Sequence, residues 1–243
     1  MRGNTGNPAG FPPRPLVDGS PRIHAVLRRQ GMRCGRKRVA RLMRLAGFVA
    51  THRKRKPPTT DSHHEHPIAP NVLNREFTAS APEQRWVGDI TVVDTQEGWL
   101  YVAALIDLSS RRCVGWAMSA HPDEAVVTAA FLLASHHRHP DRSLLHHTDR
   151  GSQYTSLGYR HLLASTAIQV SRSRRANCWD NAAMASFWGT LTSECPDRWQ
   201  FASHHQARTV IFAYLEVFSN RQRLHSTLGY LSPAEFEQLG MSS

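Results

Sequence analysis

The sequence predicts an α/β protein, a mixed five-stranded sheet with helices on both faces, led by a small and strongly basic pair of helices. Three observations lead there. Three apolar, partly β-branched runs, WVGDITVV (86–93), WLYVAALIDL (99–108) and RCVGWAMS (112–119), follow one another with short breaks, as the strands of an antiparallel meander do. Beyond them, helical and strand patterns alternate. Charge is also divided unevenly: residues 1–60 hold 15 Lys/Arg and one acid, whereas residues 61–243 hold 15 Lys/Arg and 18 acids. A basic leader on a near-neutral body puts a polyanion, most often nucleic acid, first among partners; the competing reading is a solvated basic tail.

Residues 1–19 are rich in Gly and Pro without periodicity and read as disordered. A helix then starts at Ser20-Pro21, with Ser20 as N-cap and the proline in the first turn. Ile23, Val26 and Leu27 recur at helical spacing and Gly31 ends the segment. A second helix places Val39, Leu42, Met43 and Ala46 on one face and Arg36, Lys37, Arg41 and Arg44 on the other, ending at Gly47. Residues 20–50 thus outline a helix-turn-helix with those four basic residues facing DNA; the alternative is an ordinary basic hairpin. THRKRK (51–56) and the Pro/His-rich stretch after it read as a linker over 51–82, in which Lys54 and Lys56 extend the basic set. His63, His64 and His66 have only Asp61 and Glu65 beside them, so they read as solvated rather than metal-binding, as do the pairs His136/His137, His146/His147 and His204/His205. The core spans 83–243. After the three strands it carries a helix over 123–136, a strand SLLHHTD (143–149), a helix over 156–165 and a short strand IQVSR (168–172). Helices over 179–193 and 204–220 close the pattern.

Other classes drop out. No run approaches the roughly 18 apolar residues of a membrane span, and the opening lacks the apolar stretch of a secretory signal. Cys34, Cys113, Cys178 and Cys195 are scattered, which fits a reduced, cytoplasmic protein.

Two acids carry the chemistry. Asp89 interrupts an apolar strand, which is expensive unless the acid is paired or metal-bound. Asp149 ends a second apolar strand and enters the turn DRGSQ, where ligands of open α/β sheets collect. Acids on neighbouring central strands can share a hard divalent cation. Each alone is also what a turn-forming aspartate looks like.

With these motifs the chain resembles the DDE-type transposases of the insertion-sequence-three group, bacterial relatives of retroviral integrases. The match runs through GSPRIHAVLRRQGM, GRKRVARLMRLAGFVA, WVGDIT, WLYVAALIDLSSRRCVGWAMS, HHTDRGSQYTS, SRRANCWDNAAMASFWGTL and NRQRLHSTLGYLSPAEFE, nearly all of Gly19 to Glu237. The resemblance implies a ribonuclease-H-like integrase core in which the Asp of DIT, the Asp of DRG and a Glu on the helix after NCWDN bind two Mg²⁺ (or Mn²⁺) ions. Asp89 and Asp149 match. The third position, 36 beyond Asp149, is Ala185, in surroundings otherwise as the resemblance expects. Glu194, nine residues on, projects from the opposite side of that helix; Asp180 lies about 140° round, and Asn181 is near the right face but neutral. The resemblance further implies metal-dependent DNA cleavage and strand transfer, at element ends and into a target, by a homo-multimer on DNA, with an upstream-frame partner or fusion as a further candidate partner; members of the group carry a longer helical lead-in before GSPRI, where this chain is Pro/Gly-rich. Ala185 predicts that catalysis is impaired in this copy. The alternative is a catalytically inactive DNA-binding relic or regulator of transposition. Asn177, Trp179 and Asn181 either cap the helix or touch DNA near the cut. Arg221, Arg223 and His225 contact phosphates or form a solvated helix end.

Overall fold

The computed structural model describes residues 18–48, 68–175, 177–194 and 201–240. Its strands are β1 (Arg85–Thr95), β2 (Gly98–Asp107), β3 (Cys113–Ser119), β4 (Leu145–Thr148) and β5 (Gln169–Arg172). The longer helices are α1 (Ser20–Arg29), α2 (Arg36–Leu45), α3 (Glu124–Arg138), the short α4 (Ser152–Thr155), α5 (Leu157–Thr166), α6 (Ala182–Glu194), α7 (His204–Ala213) and α8 (Pro233–Gly240). The strands form one mixed sheet of order β3-β2-β1-β4-β5, antiparallel across the first three and parallel from β1 through β4 to β5. This is the architecture the strand and helix patterns predict.

Alternation along the strands divides the core into two layers. Trp86, Ala103, Leu105 and Val114 meet Val127, Phe131, Tyr159 and Leu163 of α3 and α5 on one face. Val87, Val102, Ala104 and Ile106 meet Met184, Trp188, Leu191 and Ile211 of α6 and α7 on the other. Helix α3 lies unusually close to β3 because Gly115 has no side chain: a Cβ there would come within 2.3 Å of the Ala130 carbonyl oxygen. The predicted helix over 204–220 is one continuous rod, but its second half, Tyr214–Ser219, is wound as a π-helix.

Four expectations change. Gly19, not Ser20, is the N-cap of α1, and no side chain caps it, although Pro21 does occupy the first turn. The helix expected over 179–193 begins as a 3₁₀ turn, Cys178–Asn181, before α6. Within the stretch expected to be linker, residues 70–77 pack on the core: Leu73 is buried there, Val72 and Leu73 donate their N–H groups to Ser171 Oγ, and Arg172 N donates to the Pro70 carbonyl. His146 and His147 are fully buried in β4 rather than solvated. His146 Nε2 bonds Tyr159 Oη at 2.9 Å, and His147 lies between Ser171 Oγ and Ser173 Oγ at 2.8 and 3.2 Å. Both are core histidines held by hydroxyls, although His146 Nδ1 is buried without a hydrogen-bond partner among the described residues. His63, His64 and His66 lie outside the described residues.

Among the described residues, no helix is long and apolar enough to cross a membrane.

Candidate active site

The parallel pairing of β1 with β4 sets the site. Gly88 stands opposite Thr148 in that ladder, so the next residues, Asp89 and Asp149, leave neighbouring chains at matching positions on the same side of the sheet. Asp149 Oδ1 accepts the Gly151 N–H at 2.9 Å, which closes the DRG turn and fixes the carboxylate. Burial pushes the Asp89 carboxyl well above the usual carboxylate range, and the charge of Asp149 adds to the rise; the Ile90 N–H and the Trp188 indole offset part of it. Trp188 Nε1 is buried without a hydrogen-bond partner among the described residues. A half-buried acid pair with mutual repulsion is the electrostatic demand that a divalent cation meets.

Trp188 also locates position 185. Met184, Trp188 and Leu191 turn the inner side of α6 onto the β1 side of the sheet. Ala185 lies three residues before Trp188 and four after Asn181, on adjoining faces of consecutive turns. It is half-buried and presents only a methyl group. Two carboxylates in adjacent register fit one hard cation, but a second ion finds no carboxylate of its own. Among the described residues, no group of three or more His, Cys, Asp or Glu side chains is arranged to hold a metal.

The neighbouring acids are committed elsewhere. Asp180 is fully buried and accepts from Asn71 Nδ2 (2.8 Å), Arg75 Nε (2.9 Å), and Arg174 N, Nε and Nη2 (2.9, 2.8 and 2.7 Å). The Arg174 bonds, with Arg75 in support, hold its carboxyl well below the ordinary range. Glu194, with a side chain only 6% exposed, accepts a bidentate pair from Arg223 at 2.7 and 2.9 Å, the Tyr214 hydroxyl at 3.0 Å and Arg22 Nη1 at 3.1 Å. Neither is free to replace an acid at 185. Asn181 is buried, and its Oδ1 has no hydrogen-bond partner.

The comparisons with known proteins agree with this geometry. Residues 79–178 match the family described as Integrase core domain, residues 166–233 match a second family of the same description, and residues 17–56 match the HTH-like domain. The 31 kDa protein of insertion element IS600 from Shigella sonnei is 41% identical over 220 residues, 90% of this chain and 81% of that protein. Transposase InsF of insertion sequence IS3A from Escherichia coli K12 is 38% identical over 92% of this chain and 78% of its own length. The chain belongs to the IS3 family of transposases.

Its fold is shared by retroviral integrases at low identity. The chain of a simian T-cell lymphotropic virus intasome structure (in complex with PP2A regulatory subunit B56 gamma) aligns at TM-score 0.53 and 15% identity, over 90% of this chain and 74% of that one. The HTLV-2 integrase catalytic core domain, in complex with magnesium, aligns at 0.50 and 13%, over 65% of this chain and 99% of that one.

In this transposase the remaining sequence-predicted residues fall into distinct settings. Arg36, Lys37, Arg41 and Arg44 are all exposed on α2, while Val39 and Met43 are buried against α1. Leu42, expected on the inner face, is half-exposed. Lys54 and Lys56 lie outside the described residues. Asn177 Oδ1 accepts from Trp179 N and Arg75 Nη2, both at 3.2 Å, so its side chain caps the 3₁₀ turn. Trp179 is 65% exposed on that turn. Arg150 Nε donates to the Ser173 carbonyl at 2.6 Å, tying the DRG turn to the segment that leads to Trp179.

Of Arg221, Arg223 and His225, only Arg221 is exposed. Arg223 is buried on Glu194, and His225 packs against it. Burial, with Arg223, Arg22 and Arg111 nearby, holds the His225 imidazole down to about 3, so it carries no charge for a phosphate. An imidazole held neutral in the folded chain takes up a proton on unfolding below its free value of roughly 6.5. Its stabilising contribution is therefore complete above that pH and is lost as pH falls toward about 3. Thermal unfolding between pH 7 and 4.5 should show a smaller loss of stability in His225→Gln than in the unaltered chain. Parallel profiles would contradict neutral burial.

Sequence reading missed Arg172 and Trp188. Arg172 stands at the end of IQVSR and Trp188 within an apolar helix, and neither position carries a local signal of its setting.

Proposed function

We propose that this transposase cuts DNA at element ends and joins the 3′ ends to a target, as a homo-multimer on DNA, and that Ala185 leaves this copy catalytically impaired. The observation that carries the first part is the place of Asp89 and Asp149, each one residue beyond the Gly88–Thr148 pair that ends the parallel β1–β4 ladder. Mg²⁺ or Mn²⁺ held there would activate the attacking water or 3′-hydroxyl, and a second ion would stabilise the leaving oxygen. In this chain Asp89 and Asp149 would hold the first ion, with the Gly151 N–H keeping Asp149 oriented. The magnesium of the HTLV-2 integrase core supports a divalent cation. The basic, exposed face of α2 supports DNA binding by the HTH-like domain. A second reading, a DNA-binding regulator without activity of its own, is favoured by Ala185 together with the engagement of Asp180 and Glu194 by arginines.

Metal titration tests the site directly. Calorimetry with Mn²⁺ should find a single weak site on the unaltered chain, and Asp149→Asn should abolish it. Two equivalent ions would mean that another ligand has taken over from Ala185.

A further inference from the structure

We infer that Leu42 and Leu45 of α2 read base sequence in DNA through the C5-methyl groups of thymines in the major groove, a step that rests on α2 being the DNA-binding face.

Helix α2 buries only Val39 and Met43, against α1. At about 100° per residue, the pole opposite those two is Arg41. Lys37 and Arg44 flank it on one side; Arg38, Leu42 and Leu45, at positions i, i+4 and i+7, line the other. Leu45 is 76% exposed, more than any other large apolar side chain among the described residues, and Leu42 is 50% exposed. A lone surface leucine is ordinary. Two neighbouring leucines on a ten-residue helix that also carries five exposed basic residues form a mixed surface, apolar points in a positive field. The sequence supplies no acid between Asp18 and Asp61 to offset that field. The ion pairs to the core come from Arg22 and Arg29 of α1, which reach Glu194 and Glu235.

An occupant of this surface must bring dense negative charge and small apolar groups together. The DNA major groove does so: phosphates line its edges, and thymine alone of the four bases presents a methyl group there. A helix with its side chains is ~10–12 Å across, and the groove is ~12 Å wide. Leu42 and Leu45 are ~4.5 Å apart along the helix axis, against ~3.4 Å per base step, so they meet methyls on neighbouring base pairs. Lys37, Arg41 and Arg44 reach phosphates, which fix the register of the helix and carry no sequence information. An apolar protein surface fits less well, because it would have to bury the cations along with the leucines at a large desolvation cost.

The test compares binding of the whole chain to element-end duplex made with thymine and to the same duplex made with uracil, which lacks only the methyl. Each buried methyl contributes about fourfold in affinity, so the unaltered chain should bind the uracil duplex on the order of tenfold more weakly. The Leu42→Ala/Leu45→Ala variant should bind thymine DNA at that weaker level and lose little more on uracil. Its salt slope should match that of the unaltered chain, since no phosphate contact has gone. Alanine favours the helix and both positions are exposed, so circular dichroism should show the fold retained.

Equal affinity of the unaltered chain for the two duplexes overturns the inference, as does a leucine variant that keeps the full preference for thymine. If that variant also changes the oligomeric state of the DNA-free chain, the two leucines belong to a protein partner instead. Failure of the underlying reading looks different: the fourfold alanine variant of Arg36, Lys37, Arg41 and Arg44 would then keep its affinity and salt slope. With that variant weakened and the uracil duplex bound undiminished, α2 still faces DNA and only the methyl contacts are refuted.

Discussion

Ala185→Glu should raise Mg²⁺-dependent nicking of element-end DNA by on the order of a thousandfold or more. Loss of leaving-oxygen stabilisation forfeits several kcal/mol, and each ~1.4 kcal/mol is about tenfold in rate. The structure makes one substitution sufficient in principle. Ala185 is half-buried on α6, a turn from Trp188 in the layer that packs on β1, the strand of Asp89. Asp180 and Glu194 are locked by arginines and do not already serve. A third acid beside Asp89 adds repulsion when no metal is bound, so the variant should unfold at a lower temperature without Mg²⁺ and regain stability as Mg²⁺ is added. Ala185→Gln has similar bulk without charge and should rescue little. Efficient cutting by the unaltered chain would show that the third acid is not needed here. A glutamate variant that folds, binds DNA and still does not cut would place the damage outside this position.

The sheet and its two layers were legible because apolar period and run length report burial directly: the three meander strands and helices α3 and α5 lie within a few residues of their predicted spans. The candidate pair was legible for a related reason, since an acid inside an apolar run stands out. What could not be read was which charges face solvent. Asp180 and Glu194 look in sequence like surface acids near the ends of a helix, yet each gathers arginines from afar, Arg75 at 105 residues' separation and Arg22 at 172. Arg223 looks like a phosphate ligand and is half of a buried ion pair. The histidines of β4 look like their solvated counterparts elsewhere, and only the covering of both sheet faces puts them inside. Residues 70–77 carry linker composition, but one leucine in the core and a few hydrogen bonds suffice to seat them. Such partnerships are properties of the closed fold, and no local pattern encodes them.

Replacing Arg36, Lys37, Arg41 and Arg44 together with alanine should flatten the salt dependence of DNA binding, by roughly 0.9 in log–log slope for each phosphate no longer neutralised. If all four touch phosphates, the unaltered chain should lose on the order of a hundredfold more affinity than the variant between 50 and 200 mM salt. Alanine preserves the helix, and the buried packing of Val39 and Met43 is untouched, so circular dichroism should show the domain still folded. Arg22 and Arg29 are left alone because they join α1 to Glu194 and Glu235 of the core; changing them would loosen the domain as well as its charge. For the same reason the comparison is made on the whole chain. A core cut at residue 83 would lose Leu73 from the hydrophobic layer, and Asn71 and Arg75 from Asp180, and its weakened binding would report damage to the fold. Should the fourfold variant keep the affinity and the slope of the unaltered chain, α2 is not the DNA-binding face. The basic residues of 51–56, four in six positions, would then be next in line.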